Sequence, residues 1–243
     1  MSDEMTKENQ EHKDYSIKNY INNFTKICRT DDGEFERLEE EERQKKLKKE
    51  EEQRTRYYKE ESGAPSRYWN ESLDTYRPSE GNNKTYSWIR GFVTAVKKSS
   101  NSKNLVYISG CHGTGKTHLG CGIVRELEGY YTSSYKLCLD FDSCRDFNSK
   151  LTRSQFVEKI CKKPVLVIDE VGKGIEGIEN SLLPFIVNEF YANGNILFML
   201  GNSDKQEFQK LIKTDGVDRM KEVGVYLTLT GNSWRSNESH NEN

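Results

Sequence analysis

A glycine-rich segment between an apolar run and a helical pattern carries the clearest chemistry in the sequence. Residues 110–117 read GCHGTGKT and match the GxxxxGK[ST] pattern that binds nucleotide phosphates. Glycines let successive backbone N–H groups line an anion site, and the helix N-terminus adds its dipole. Lys116 would supply a charge for the β- and γ-phosphates of ATP, and the Thr117 hydroxyl would be a ligand for Mg²⁺. The predicted nucleotide-binding residues are Gly110, Cys111, His112, Gly113, Thr114, Gly115, Lys116, Thr117 and His118.

An acidic pair follows a later apolar run. The segment PVLVID at 164–169 is apolar on both faces, which predicts a buried parallel strand. Ligand sites of parallel sheets lie at the carboxyl ends of the strands, so the pair is expected beside the phosphate loop. Asp169 would hold Mg²⁺, directly or through water, and Glu170 would orient and deprotonate the attacking water. Two acidic residues rather than one favour hydrolysis of ATP.

Three later polar residues are further candidates for a catalytic role. Asn202 follows the apolar run NILFML at 195–200, where an amide can hold the attacking water or sense the γ-phosphate. Arg219 and Arg235 stand in the segments VDRM and SWR. Each arginine alone is typical of a protein surface, but phosphoryl transfer needs positive charge at the γ-phosphate, from the same chain or a neighbour.

The elements that must position these residues alternate between strands and helices. Strands are predicted at 104–109, 135–140, 164–169, 195–200 and 225–230. Helices are predicted up to Lys98, at 116–128, near 142–150, from a capping box at Thr152, at 179–193, at 204–213 and at 215–222. Strands separated by helices predict an α/β fold with a parallel sheet covered on both faces. The last strand alternates in polarity, which favours an edge position.

The composition excludes several classes of protein. The 243 residues are 31% charged and 33% hydrophobic, with a mean hydropathy of −0.90, and no apolar run of about 20 residues that would span a membrane occurs. The N-terminus lacks the apolar core of a secretory signal. Six cysteines without a CxxC pair favour a cytoplasmic protein with reduced thiols over disulfides or zinc. A net charge of −2 implies that any contact with nucleic acid is local.

Most of the polarity lies in the first quarter of the chain. The segment from Phe35 to Glu61 is rich in Glu, Lys and Arg and predicts a solvated helix or linker, with a helix lying on a partner or on DNA as the alternative. At 14–28, apolar residues recur at helical spacing, so this face must pack on a partner, on a second copy or on the main domain. We therefore expect a charged helical arm at 1–61, a linker at 62–83, an ATPase domain at 84–236 and a disordered tail at 237–243.

The motifs occur in an order that resembles a known family. The segments GCHGTGKTHL, VLVIDEVG, GN, VDRM and SWRS resemble the AAA+ ATPase domain of DnaC/DnaI-type replicative helicase loaders, a clade that includes the IstB transposition helper. The stretch at 62–78 resembles the linker of that family, and the resemblance covers 62–236. It implies a P-loop AAA+ core with strand order 5-1-4-3-2. Because the sequence stops soon after Arg235, no C-terminal lid domain is expected.

The same resemblance implies roles and partners. Asn202 would be sensor 1, Arg219 a finger that reaches the ATP of an adjacent subunit, and Arg235 sensor 2. ATP-bound subunits would form a homo-oligomer that grips single-stranded DNA and opens or holds a hexameric replicative helicase, onto which the N-terminal segment docks. The expected function is ATP-dependent helicase loading. An ATPase helper of a DNA transposase and a nucleotide-gated adaptor with little turnover are the alternatives.

Two further features bear on this expectation. Loaders of the DnaI type carry an N-terminal zinc module, but here only Cys28 stands in that region, so zinc is not expected. A set of basic residues around the third strand favours solvated surface, with a local groove for a single strand as the alternative. The set comprises Lys150, Arg153, Lys159, Lys162, Lys163 and Lys173.

Overall fold

The structure is a computed structural model that describes residues 32–99, 103–146 and 149–231. The chain divides into two compact units, Met1–Gln53 and Arg54–Asn243. The helical face expected at 14–28, Arg235 and the tail at 237–243 lie outside the described residues. In the part that is described, no helix has both the length and the apolar character to cross a membrane.

The charged segment near the N-terminus is a helix, α1, from Asp32 to Glu60. Its described side chains are exposed from Arg37 through Arg54, in keeping with the high content of Glu, Lys and Arg. Arg56 and Glu60 form an ion pair of 2.9 Å one turn apart, the spacing at which opposite charges stabilise a helix. The helix predicted for this segment is therefore present.

The second unit is built on a five-stranded parallel sheet with the order β2-β3-β4-β1-β5. This is the expected order 5-1-4-3-2 read from the other edge, and β5 occupies an edge as expected. Because all pairs are parallel, the carboxyl ends of the strands meet at one side of the sheet. The strands are β1 (Leu105–Gly110), β2 (Tyr130–Ser133), β3 (Val165–Val171), β4 (Ile196–Gly201) and β5 (Gly224–Leu229).

Helices cover both faces of the sheet. They are α2 (Asn83–Lys97), α3 (Lys116–Leu127), α4 (Ser134–Ser143), α5 (Arg153–Cys161), α6 (Glu176–Asn193) and α7 (Lys205–Val223). Alternate strand residues point to opposite faces: Val106 and Ile108 pack with α2 and α3, whereas Leu105 and Tyr107 pack with α4 to α7. Two buried layers of apolar side chains therefore hold the sheet between the helices, as predicted for an α/β fold.

The region after α3 differs from the prediction. The strand predicted at 135–140 is wrong: β2 spans only Tyr130–Ser133, and residues 134–143 form α4. The Ser133 hydroxyl caps this helix by accepting a hydrogen bond from Lys136 N, so strand passes directly into helix. Leu137 and Cys138 are buried, and short apolar runs of this kind fit strand and helix patterns equally well. The helix predicted near 142–150 is also wrong, since α4 ends at Ser143.

Other boundaries agree more closely. The capping box predicted at Thr152 is present, with Gln155 as its partner. Helix α6 begins at Glu176, about one turn before the predicted start at residue 179, and Gly194, which caps its C-terminus, has a left-handed backbone. Lys213 has non-helical backbone angles within α7, which divides that helix into the two short helices that were predicted.

The segment at 62–83, expected as a linker, packs against the sheet unit. Leu73 and Tyr76 are buried in its core, and Tyr131 N donates to Ser62 O at 2.7 Å. Asn82 Nδ2 donates to Thr230 O at 2.8 Å, and Thr230 N donates to Asn82 Oδ1 at 2.7 Å. This segment therefore contributes both core packing and hydrogen bonds to the fold that carries the site.

Candidate nucleotide-binding site

The phosphate loop connects the end of β1 to the start of α3. Gly113 and Gly115 have left-handed backbone angles, with φ of 78° and 88°, which L-residues with a side chain rarely adopt. A Cβ atom on Gly115 would also lie 2.5 Å from Cε2 of Tyr76. Glycine at this position is thus required by both backbone conformation and space, and the loop has the strand–loop–helix setting that the motif predicts.

Lys116 lies folded against the phosphate loop. Its side chain is largely buried, with the residue 9% exposed, and its Nζ donates to the carbonyl oxygens of Gly110 at 2.6 Å and Cys111 at 2.8 Å. Burial lowers the pKa of the Lys116 ammonium, and the nearby Asp169 opposes that shift. The residue is therefore positioned to place positive charge beside an anion held by the loop amides.

Asp169 accepts three hydrogen bonds at the centre of the site. It is 2% exposed, and its Oδ2 accepts from Thr117 Oγ1 and from the Tyr131 hydroxyl, each at 2.7 Å. Its Oδ1 accepts from Glu170 N at 2.7 Å. The predicted Mg²⁺ ligands Thr117 and Asp169 are thus adjacent.

The hydroxyl and carboxylate of these two residues fit the requirements of Mg²⁺. This ion is commonly bound through one or two carboxylates together with the phosphates of its nucleotide. Within the described residues, no group of three or more His, Cys, Asp and Glu side chains is arranged to hold a metal. Thr117 and Asp169 could contribute two ligands to Mg²⁺, with nucleotide phosphates and water supplying the others.

Sequence reasoning missed Tyr131. It is buried, and burial raises the pKa of its hydroxyl, with the charge of Asp169 adding to the shift. Its place next to Asp169 depends on the pairing of β2 with β3, in which Tyr131 lies opposite Val167. The sequence contains one signal for this strand, a short run of aromatic and β-branched residues just after α3 that includes Tyr131. Because the second strand was predicted at 135–140, this signal was not recognised.

Glu170 and Asn202 lie at the open side of the site. Glu170 is exposed at the end of β3, has a left-handed backbone with φ of 56°, and pairs with Lys173 at 3.3 Å. Asn202 follows β4, and its Nδ2 lies 2.9 Å from His112 Nε2 of the phosphate loop. The expected candidates for water activation and γ-phosphate sensing are therefore brought to the same edge of the sheet as the loop.

A cleft of about 420 Å³ runs across this edge. Its lining includes Lys116, Asp169, Glu170 and Asn202, and it extends to the segment at 62–83. The residues of that segment in the lining, which sequence reasoning did not assign to the site, are Arg67, Tyr68, Glu71, Thr75, Tyr76 and Arg77.

Two contacts attach this segment to the phosphate loop and to α3. The Tyr76 hydroxyl donates to Thr114 O at 3.2 Å, and the His118 ring lies edge-on to Tyr76. His118 Nε2 is 2.9 Å from Ser72 O, so this side chain contacts the 62–83 segment as well as the cleft. Folding of the segment and formation of the cleft are therefore linked.

The structure does not bring Arg219 to this cleft. Arg219 lies near the end of α7, which leads into the start of β5 at the opposite side of the sheet, and its guanidinium carbon lies 4.3 Å from the Tyr191 ring centroid. Arg235 lies outside the described residues. Arg219 thus does not act on the site of its own chain in this arrangement.

Most of the basic residues near β3 contact acidic or aromatic side chains of the same chain. Arg153 pairs with Asp142 at 2.8 Å, Lys162 pairs with Glu158 at 2.5 Å, and Lys163 lies over the ring of Tyr130. Lys173 differs because it lines the cleft.

Comparison with known proteins agrees with the fold. The solved structure of the DnaC helicase loader superposes with a TM-score of 0.59 at 23% identity, over 68% of this chain and 100% of that chain. DnaI superposes with a TM-score of 0.54 at 20% identity, over 70% and 93% of the two chains. DnaA from Aquifex aeolicus, bound to AMPPCP, gives 0.54 at 19% identity, over 65% of this chain and 50% of DnaA.

These solved structures share the fold of this chain. No curated protein matches the chain in sequence. The profile of the AAA domain family matches residues 102–230, more than half of the chain, and this stretch holds the phosphate loop, the acidic pair, Asn202 and Arg219. The chain therefore belongs to the AAA family of P-loop nucleotide-binding ATPases.

Proposed function

We propose that this protein hydrolyses ATP and uses it to load a replicative DNA helicase onto single-stranded DNA. One observation carries the proposal: hydrogen bonds link Thr117 and Glu170 to Asp169 beside the phosphate loop. The fold adds support, because the match to the DnaC helicase loader covers that whole chain.

Each residue of the site has a defined part in binding. The loop amides and Lys116 bind the β- and γ-phosphates, and Thr117 and Asp169 would hold Mg²⁺, which would supply positive charge beside the phosphates. Tyr131 and Glu170 N, through their hydrogen bonds to Asp169, orient its carboxylate for this task.

Hydrolysis then requires an activated water. Glu170 accepts a proton from the water while the water oxygen bonds to the γ-phosphorus and the bond to the bridging oxygen of ADP breaks. Asn202 lies beside the loop through His112 and orients the water or the γ-phosphate. Lys173, which pairs with Glu170 in the cleft, places a second cation near the reacting groups.

The proposed partners are a hexameric replicative helicase and single-stranded DNA. DnaA, which shares the fold with a TM-score of 0.54 at 20% identity, has been solved bound to AMPPCP and single-stranded DNA. The position of Arg219 away from its own cleft favours a role at the ATP of an adjacent subunit in a homo-oligomer. We further propose that the domains have boundaries at residues 61, 83 and 236. The N-terminal arm, residues 1–61, would dock on the helicase.

Loading of a hexameric helicase onto circular single-stranded DNA tests the function directly. The wild type should load the helicase and hydrolyse ATP, Lys116→Ala should lose nucleotide binding, and Glu170→Gln should bind ATP without turnover. Glu176→Gln, an exposed change on the same domain, is the matched control.

Three results would contradict parts of the proposal. Equal hydrolysis by the wild type and Glu170→Gln would remove the role of Glu170. Full loading without any turnover would favour the nucleotide-gated adaptor. Assembly on long duplex DNA together with binding to a transposase, and no helicase binding, would favour the transposase helper.

A further inference from the structure

A buried carboxylate lies behind the acidic pair, outside the cleft. Glu179, on α6, is 3% exposed. Its Oε1 accepts from the Ser134 hydroxyl at 2.5 Å and from Gly172 N at 2.8 Å, and its Oε2 accepts from Gly174 N at 2.8 Å. A carboxylate in an apolar interior is costly unless hydrogen bonds replace its water. These three donors, all neutral, therefore determine where the side chain lies.

Two of the three donors belong to the turn that follows Glu170. Lys173 N donates to Glu170 O at 3.0 Å, which closes the turn, and Gly172 has φ of 90°. The amides on either side of Lys173 are the ones that Glu179 holds. The N–H groups of three consecutive residues, 172 to 174, are thus all bonded, one to the carbonyl of Glu170 and two to Glu179 on α6.

The turn holds Glu170 in an unfavourable conformation. Glu170 has φ of 56°, and left-handed backbone at a residue with a side chain persists only where the surroundings impose it. The register of β3 against β4 also shifts between Ile168 and Val171. The carboxylate of Glu170 therefore leaves the strand in a direction that depends on the following turn.

The contact between Glu179 and the turn is close on the side of Gly174. A Cβ atom on Gly174 would lie 2.8 Å from Cδ of Glu179, so a side chain at this position would require the Glu179 carboxylate to move. This approach is what allows the amide of Gly174 to reach Oε2.

We infer that Glu179 is a positioning residue for hydrolysis: through the Gly172–Gly174 turn it fixes the direction of the Glu170 carboxylate. The inference rests on the proposed ATPase function, in which Glu170 activates water. Glu179 does not line the cleft, so it acts on the reaction only through Glu170 and the turn.

The test compares Glu179→Gln with Glu176→Gln, an exposed change in the first turn of the same helix. Glutamine keeps the size of the side chain but has one acceptor oxygen, so an N–H group of the turn loses its partner. Hydrogen exchange at the amides of Gly172 and Gly174 should become faster in Glu179→Gln and stay unchanged in Glu176→Gln, because local opening exposes only that turn.

The kinetic readouts separate positioning from a general loss of structure. In Glu179→Gln, kcat should fall about 10- to 100-fold, the size of effect that a small misplacement of a catalytic group produces. The Kd for a non-hydrolysable ATP analogue should stay unchanged, since the phosphate loop is not altered. Adding Glu179→Gln to Glu170→Gln should cause no further loss of hydrolysis.

Specific results would overturn the inference. The inference is wrong if Glu179→Gln leaves hydrogen exchange at the turn or kcat unchanged. It is also wrong if the variant loses ATP binding and kcat to the same extent. If Glu179→Gln does not fold, Ser134→Ala removes one donor only and should give a smaller change in the same direction; no change there would also overturn it. A wild type without ATPase activity would refute the proposed function, while the exchange measurement would still test the turn.

Discussion

The hydrogen bond from Tyr131 to Asp169 gives a prediction that can be worked out from the structure. Tyr131→Phe removes only the hydroxyl, because the buried ring keeps its packing. A hydrogen bond to a charged group contributes about 1.5–3 kcal/mol to the free energy of unfolding. Asp169 retains the bonds from Thr117 and from Glu170 N, so no new buried group is left without a partner, and the loss should lie toward the lower end of that range.

Urea denaturation followed by circular dichroism measures this loss. With an m-value of about 2 kcal/mol/M, a loss of about 1.5–2 kcal/mol should lower the midpoint of Tyr131→Phe by about 0.8–1 M. Tyr135→Phe is the matched control, since Tyr135 is 52% exposed on α4, and changes at such positions usually stay within about 0.5 kcal/mol.

A double-mutant cycle shows whether the effect passes through Asp169. In an Asp169→Ala background the Tyr131 hydroxyl has lost its acceptor, so Tyr131→Phe should then cost nothing or stabilise the protein. A cost for Tyr131→Phe that is the same in both backgrounds would refute the reasoning, as would a midpoint equal to that of Tyr135→Phe.

Three further predictions follow from other parts of the structure. Arg219→Ala should leave ATP binding unchanged and lower turnover, and mixing it with Lys116→Ala should restore activity if the arginine acts on an adjacent subunit; lack of restoration would contradict the trans role. The exposed thiol of Cys111 should react with a maleimide in a Cys28→Ser background, and ATP with Mg²⁺ should slow that reaction. Burial raises the pKa of Tyr58 and Tyr107, so unfolding releases their protons, and the free energy of unfolding should fall as the pH rises above about 10; a constant value from pH 9 to 11 by urea denaturation would contradict this.

The sequence was informative where chemistry restricts the choice of residue. The phosphate loop needs glycines at fixed spacing followed by Lys and Thr, so residues 110–117 could be identified and placed between β1 and α3. The acidic pair could be placed because a run that is apolar on both faces predicts a buried parallel strand, and its carboxyl end must meet the loop. In both cases the local pattern and the overall fold require the same residues.

The parts that were missed depend on contacts between distant segments. Strand β2 has four residues and passes directly into α4, so neither element has enough length for its period to be distinguished. The burial of Tyr76 and its bond to Thr114 O arise only when the 62–83 segment folds over α3. No periodicity within the segment encodes that contact, and a linker was therefore the natural prediction.

Asp169 shows why the site and the fold are formed together. Its donors come from three elements: Thr117 from α3, Tyr131 from β2 and Glu170 from the end of β3 itself. The hydroxyls of Thr117 and Tyr131 can both reach Asp169 only when β2 and β3 pair in the observed register, in which Ser133 lies opposite Asp169. A shift by one residue would move the Tyr131 side chain to the other face of the sheet. The orientation of Asp169, the proposed Mg²⁺ ligand, therefore depends on correct pairing of β2 with β3. Variants that weaken the contact between β2 and β3 should consequently lower nucleotide binding even when they leave the phosphate loop intact.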